Sequence, residues 1–132
     1  MQKIQKFLED YPVFYYATIQ ENQPEIRPFG FKMWYQGALH IGMGTHKPCY
    51  RQTVENPNVA LCALGENGTW LRINATAVLV EDPQAHTNVY LINEGMKDIY
   101  NEETGYTLGL FRLENCHAQF TYADKTTEEI AF

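Results

Sequence analysis

A chain of 132 residues with 45% hydrophobic and 14% aromatic content is most simply one folded domain spanning 1–132, not a disordered segment. Its ten Lys and Arg stand against sixteen Asp and Glu, and a formal charge of −6 excludes the broad basic surface that general nucleic-acid binding needs. No apolar run approaches a membrane span and the N-terminus has no signal-peptide layout, so a cytoplasmic protein with no membrane partner is expected.

In chain order, Ile4, Phe7 and Leu8 sit at helical spacing in residues 2–10, with Tyr11 on the same side, and Pro12 stops the helix. Val13 to Gln20 alternates as a strand, with Val13, Tyr15, Ala17 and Ile19 on one face. Glu21 to Pro24 is a turn, Glu25 to Tyr35 a second strand, Gln36-Gly37 a turn and Ala38 to Met43 a third strand. These three read as an antiparallel meander. Pro48 suits the first position of a helix that Asn56-Pro57 closes.

Val59 to Leu64 is a short apolar strand, and the turn 65–68 leads into Thr69 to Val80. There Leu71, Ile73, Ala75, Ala77 and Leu79 face one way, and Trp70, Arg72, Asn74 and Thr76 the other. Asp82-Pro83 signals a helix start and Gly95 its end. Residues 96–105 read as a polar loop. Thr107 to Leu113 and Cys116 to Tyr122 read as a closing pair of strands around Glu114-Asn115. About six strands with short helices at the rim predict a mainly β fold, a small β-barrel.

Four of the ten cations (Arg27, Lys32, Lys47 and Arg51) fall in a 25-residue window with no acidic residue. In an acidic protein such a cluster beside a helix start points to a small phosphorylated ligand. Arg27 and Lys32 are five apart and would face opposite ways in a regular strand, but Pro28 and Gly30 between them allow a bulge that returns both to one face. An edge strand with two solvated charges is the competing reading. Glycines in Gly42 to Pro48 let a backbone approach a ligand, Thr45 adds a hydroxyl and Lys47 a point charge, at the positive end of a helix. An ordinary helix cap has the same composition. Arg27 and Lys47 are both expected outside the apolar faces.

Trp70 and Arg72 share the non-core face of their strand, which fits a subunit interface or a flat contact to an aromatic ligand. Cys49, Cys62 and Cys116 have no paired spacing, and His40, His46, His86 and His117 no ligand spacing, so neither disulfides nor a metal site are expected. Cys49, next to the cationic loop, is where a lowered thiol pKa would be sought. With no catalytic triad, carboxylate pair or metal set, redox chemistry would come from a bound cofactor.

Taken together, RPFGFK at 27–32, THKP at 45–48, Gln52 ahead of Asn56-Pro57, and WLR at 70–72 resemble the pyridoxamine 5′-phosphate oxidase-like flavoproteins. The likeness runs over roughly residues 16 to 84 and is greatest to the short bacterial members grouped with nitroimidazole-resistance proteins. It implies an FMN-binding split β-barrel that is a homodimer with FMN at the subunit interface. Carried over, Arg27 and Lys32 would line the FMN site, and the backbone of Arg27, Pro28, Phe29, Gly30 and Phe31 would run along the flavin ring. Thr45, His46 and Lys47 would hold the phosphate, Gln52 would stand behind it, and Trp70 would reach the flavin of the partner subunit.

Two departures stand out. Pro48 follows Lys47 where the oxidases have adjacent Arg and Lys, and the family's C-terminal Arg-x-His substrate segment has no counterpart before Phe132. Vitamin B6 oxidation is therefore not expected. The resemblance implies an oxidoreductase passing electrons from a reduced nicotinamide through FMN to an unidentified small organic acceptor. Phe29, Phe31 and Trp70 would line the ring face for a planar acceptor. The alternatives are a flavin-binding or storage protein without turnover, and a related barrel binding haem or deazaflavin.

Overall fold

The protein is described here by a computed structural model covering residues 1–132. Helix α1 (Gln2–Asp10) precedes strands β1 (Phe14–Gln20), β2 (Gln23–Phe29), β3 (Lys32–Tyr35) and β4 (Ala38–Gly44). Helix α2 (Pro48–Glu55) leads to β5 (Asn58–Leu64) and β6 (Trp70–Leu79), then α3 (Pro83–Ile92) and α4 (Met96–Ile99). The chain ends with β7 (Leu108–Thr121) and β8 (Thr127–Ala131).

All strands join one antiparallel sheet in the order β2-β1-β5-β6-β7-β4-β3, with β8 also on β7. Its edge strands β2 and β3 are consecutive, with only Gly30 and Phe31 between them. So short a link forces the sheet to curl until its edges meet. No ladder joins those edges, and the result is a barrel split along one seam.

Inside the barrel, Phe14, Tyr16, Leu39, Ile41, Leu61, Leu71, Ile73, Phe111 and Phe120 form the main core, which Ile4 and Leu8 of α1 close. A second, smaller core lies outside β3, β4 and β7, where α3 and α4 cover Met33, Leu108 and Leu110 with Ala85, Val89 and Met96. β4 is thus buried on both faces. No helix is long and apolar enough to cross a membrane.

The structure departs from the sequence expectations in five places. On β1 the buried residues are Phe14, Tyr16 and Thr18, while Val13 and Tyr15 are about half exposed. The stretch 25–35 is two strands, because the chain crosses the seam at Gly30-Phe31. Residues 108–121 are one strand, not two: Asn74 pairs with His117 and Thr76 with Glu114, so β7 spends one extra residue on a bulge where Asn115 has φ 51°. β8, which pairs with β7, has no counterpart among the expected strands. Gly95 precedes the short helix α4 inside the expected loop, and α3 already ends at Asn93. The start of α3 is as expected: the Asp82 carboxylate accepts from the Gln84 amide at 3.0 Å.

Candidate functional site

Helix α2 is seated on β1 and β2 by a buried polar network. The Tyr16 hydroxyl lies 2.7 Å from Thr53 Oγ1, and Thr53 Oγ1 donates to the Cys49 carbonyl at 2.8 Å. Since the single Thr53 proton is used there, Tyr16 is the donor in the first bond. Gln52, only 3% exposed, accepts from Thr18 Oγ1 at 2.6 Å and from Arg27 at 2.9 Å, and donates to Gln20 at 2.8 Å. Arg27 also donates to the Tyr16 carbonyl at 3.1 Å and Thr18 Oγ1 at 2.8 Å. Burial pushes the Tyr16 phenol well up, so it stays protonated and remains a donor.

Arg27 is therefore not outside the core face. It pairs with buried Tyr16 and points inward, where its planar fork ties two strands to the helix. Lys32 faces the same interior, since it pairs with Ile41 of the main core. The break at the seam achieves what a bulge was expected to do. The two cations nonetheless diverge: Lys32 Nζ donates to the Pro12 carbonyl at 3.0 Å, six residues along the chain from Thr18. Burial holds the Lys32 ammonium below its usual pKa.

The loop from β4 to α2 presents its charges openly. Lys47 is the exposed N-cap of α2, and no side chain caps the helix. Arg51, one turn further on, is also exposed, and neither cation has an ion-pair partner. Arg51 belongs to the cationic window but was not among the expected site residues; the i,i+4 spacing from Lys47 was the available signal. Thr45 is anchored through its amide to the Thr107 carbonyl at 2.9 Å. The His46 ring is stacked on Tyr106, with centroids 3.9 Å apart and planes at 14°.

The glycines divide by role. A Cβ on Gly44 would stand 2.4 Å from the His46 ring, and one on Gly42 would meet Leu108 at 3.1 Å and Phe31 at 3.3 Å. Those two make room for the protein's own rings. Gly30, by contrast, has open space where a Cβ would be, so the backbone at the seam is the accessible one.

Of the expected aromatic lining, Phe29 stacks on Tyr16 at 5.1 Å inside the barrel and Phe31 packs over Gly42. Pro28 points outward beside Tyr15. Trp70 is on the outer surface of β6, with the Arg72 guanidinium 5.3 Å over its ring. Within one chain, Phe29, Phe31 and Trp70 do not share a surface. Cys49 lies under the influence of both Arg27 and Lys47, but burial outweighs them and pushes its thiol up, which removes the basis for a reactive thiolate. No three metal-binding side chains converge.

A barrel split at β2 and β3, with a short helix tied to β1 and β2 by a buried polar network, defines the split β-barrel class. Residues 1–119 match the pyridoxamine 5′-phosphate oxidase family, and the chain belongs to that family. No curated protein matches it. Among solved structures it is similar to a NimC/NimA family protein from Clostridium acetobutylicum, with 23% identity over 100% of this chain and 92% of that one, at a TM-score of 0.90. It is also similar to a heme binding protein from Mycobacterium smegmatis (11% identity, 95% of this chain and 55% of that one, TM-score 0.71). A third is a FAD-binding protein from Mesorhizobium loti (13% identity, 91% and 94%, TM-score 0.62). At these identities the likenesses concern the fold.

Proposed function

We propose that the chain is a single FMN-binding domain that works as a homodimer, an oxidoreductase passing electrons from a reduced nicotinamide to a small organic acceptor. The observation that carries the cofactor assignment is the uncapped start of α2, with Lys47 and Arg51 both lacking a counter-ion. Thr45, His46 and Lys47 would hold the terminal phosphate, and the open backbone at Gly30 would lie against the flavin ring, with Lys32 nearby. Arg27 and Gln52 would hold α2 in place. Bound FMN would supply the redox chemistry, and the protein its orientation and one accessible ring face.

Titration tests this directly. FMN should bind far more tightly than riboflavin, because riboflavin forgoes several charge-assisted hydrogen bonds worth roughly 1.5–3 kcal/mol each. Lys47→Ala should lose a large part of that preference while its thermal unfolding stays that of the wild type. Equal affinity for FMN and riboflavin would make the α2 loop an ordinary helix cap. The absorption spectrum of the purified protein separates flavin from haem, the ligand named for one structural neighbour. Bleaching by NADH or NADPH under anaerobic conditions separates an oxidoreductase from a storage protein.

The dimer reading is supported by the outer surface of β2, β1, β5 and β6. Tyr15 (46% exposed), Ile26 (68%) and Leu64 (67%) leave this face apolar next to Trp70. Isologous pairing would cover it and bring Trp70 to the partner's flavin. Light scattering should give twice the chain mass, and Leu64→Asp should shift it towards the monomer and weaken FMN binding. A flavin-loaded wild-type monomer would rule out a shared site.

A further inference from the structure

Beyond the loop at Thr45–Lys47, on the outer side of β4 and β7, lies a cleft of about 430 Å³. Its walls come from α3 (His86 and Tyr90), from the segment after α4 (Tyr100 and Tyr106) and from Leu108 at the start of β7. That volume suits a one- or two-ring molecule. The cleft is built on the same glycines as the cofactor loop. Tyr100 stands 3.4 Å from where a Gly44 Cβ would be, and Tyr106 is the ring on which His46 stacks.

Three tyrosines and His86 supply rings to the lining, which carries no Lys or Arg and one carboxylate, Glu102. A phosphate or carboxylate would find no lysine or arginine there. His86 Nε2 is 2.9 Å from the Val80 carbonyl, which only accepts, so that nitrogen carries the proton. The hydroxyls of Tyr90, Tyr100 and Tyr106 make no hydrogen bond within the chain, and none is sealed away from solvent. Burial pushes the Tyr100 phenol up, which keeps it a donor, and Tyr90 lines the same cleft. Asn101 offers little, since its amide is bound to the Lys97 carbonyl at 2.8 Å and accepts from the Thr104 amide at 2.9 Å.

We propose that this cleft receives an uncharged, planar aromatic molecule bearing hydrogen-bond-accepting oxygens, for which a quinone is the model, held by the hydroxyls of Tyr90 and Tyr100 between aromatic walls. The assignment of that molecule as the electron acceptor rests on the flavin reading; the binding itself does not.

Equilibrium dialysis with 1,4-naphthoquinone, on flavin-free and FMN-loaded protein, tests the proposal, with pyridoxamine 5′-phosphate as the anionic comparator. The wild type should bind the quinone in both forms and the phosphate ester weakly at this cleft. The double variant Tyr90→Phe with Tyr100→Phe keeps both rings and removes both hydroxyls. It should bind the quinone about tenfold more weakly, as expected for two lost hydrogen bonds, with FMN affinity unchanged. No quinone binding by the wild type, or undiminished binding by the double variant, would overturn the proposal. So would a tighter grip on pyridoxamine 5′-phosphate that the double variant loses. Quinone binding with this sensitivity in protein that takes up no FMN would uphold the cleft and sink the flavin reading, whereas FMN binding without quinone binding would do the opposite.

Discussion

Ile73→Asp should leave the chain without a stable fold. Ile73 is fully buried in the main core, and its neighbours across the sheet, Leu61 and Ala118, are buried too. A carboxylate there would lose its water without gaining a partner, and the apolar contacts of the isoleucine would vanish with it. Together these exceed the roughly 4–5 kcal/mol that marks an exceptional substitution, against a total stability of about 5–15 kcal/mol for a domain. The expected result is aggregated protein, or soluble protein without a cooperative thermal transition. Thr87→Asp, exposed on α3, is the control and should stay within about 0.5 kcal/mol of the wild type. A folded Ile73→Asp protein with a near-normal melting temperature would contradict the observed core.

Ile73 was legible in the sequence because β6 alternates apolar and polar residues over its first half. β1 was not, for a physical reason. Val13, Tyr15, Ala17 and Ile19 are at least as apolar as Phe14, Tyr16 and Thr18, so alternation reveals a strand without revealing its inner face. What settles it is tertiary: Tyr16 and Thr18 bond to Thr53 and Gln52 of α2, so their polar atoms can be buried. The more apolar set is left outside. Glu114-Asn115 is ambiguous for a different reason. An Asn with positive φ serves a hairpin turn and a β-bulge alike, and only the partner strand distinguishes them. β8 carries Glu128 and Glu129, charges of the sort that protect an edge strand and mask its sequence signature.

The candidate site divides along the same line. The start of α2 at Pro48 depends on local chemistry and could be read directly. The glycines could be located but not interpreted, because the His46 ring over Gly44 and the Phe31 ring over Gly42 are packing decisions. The tyrosine cleft left no motif at all. Tyr90, Tyr100 and Tyr106 come from a helix and a loop whose docking on β4 is set by the second core.

Arg27→Ala should lower the stability of the flavin-free protein, in contrast to Lys47→Ala. A cation in a basic window reads as a ligand contact, yet this guanidinium already donates to Tyr16, Thr18 and Gln52. Its removal leaves the nearly buried Gln52 oxygen with Thr18 as its sole donor and deprives α2 of its charged tie to β2. Hydrogen bonds to a charged group are worth about 1.5–3 kcal/mol, so a loss of about 3 kcal/mol is expected for the cluster. With a few degrees of melting temperature per kcal/mol for a chain of this size, the transition should fall by roughly ten degrees. Arg27→Lys should recover only part of this, since one ammonium cannot span three acceptors held in a fixed fork. FMN affinity should fall as well, because the proposed phosphate seat lies at the start of α2, and saturating FMN should restore part of the lost melting temperature. The measurement is thermal unfolding of wild type, Arg27→Ala, Arg27→Lys and Lys47→Ala, each with and without FMN. A flavin-free Arg27→Ala protein that melts with the wild type but binds FMN poorly would make Arg27 a direct ligand contact and not the tie that seats the helix.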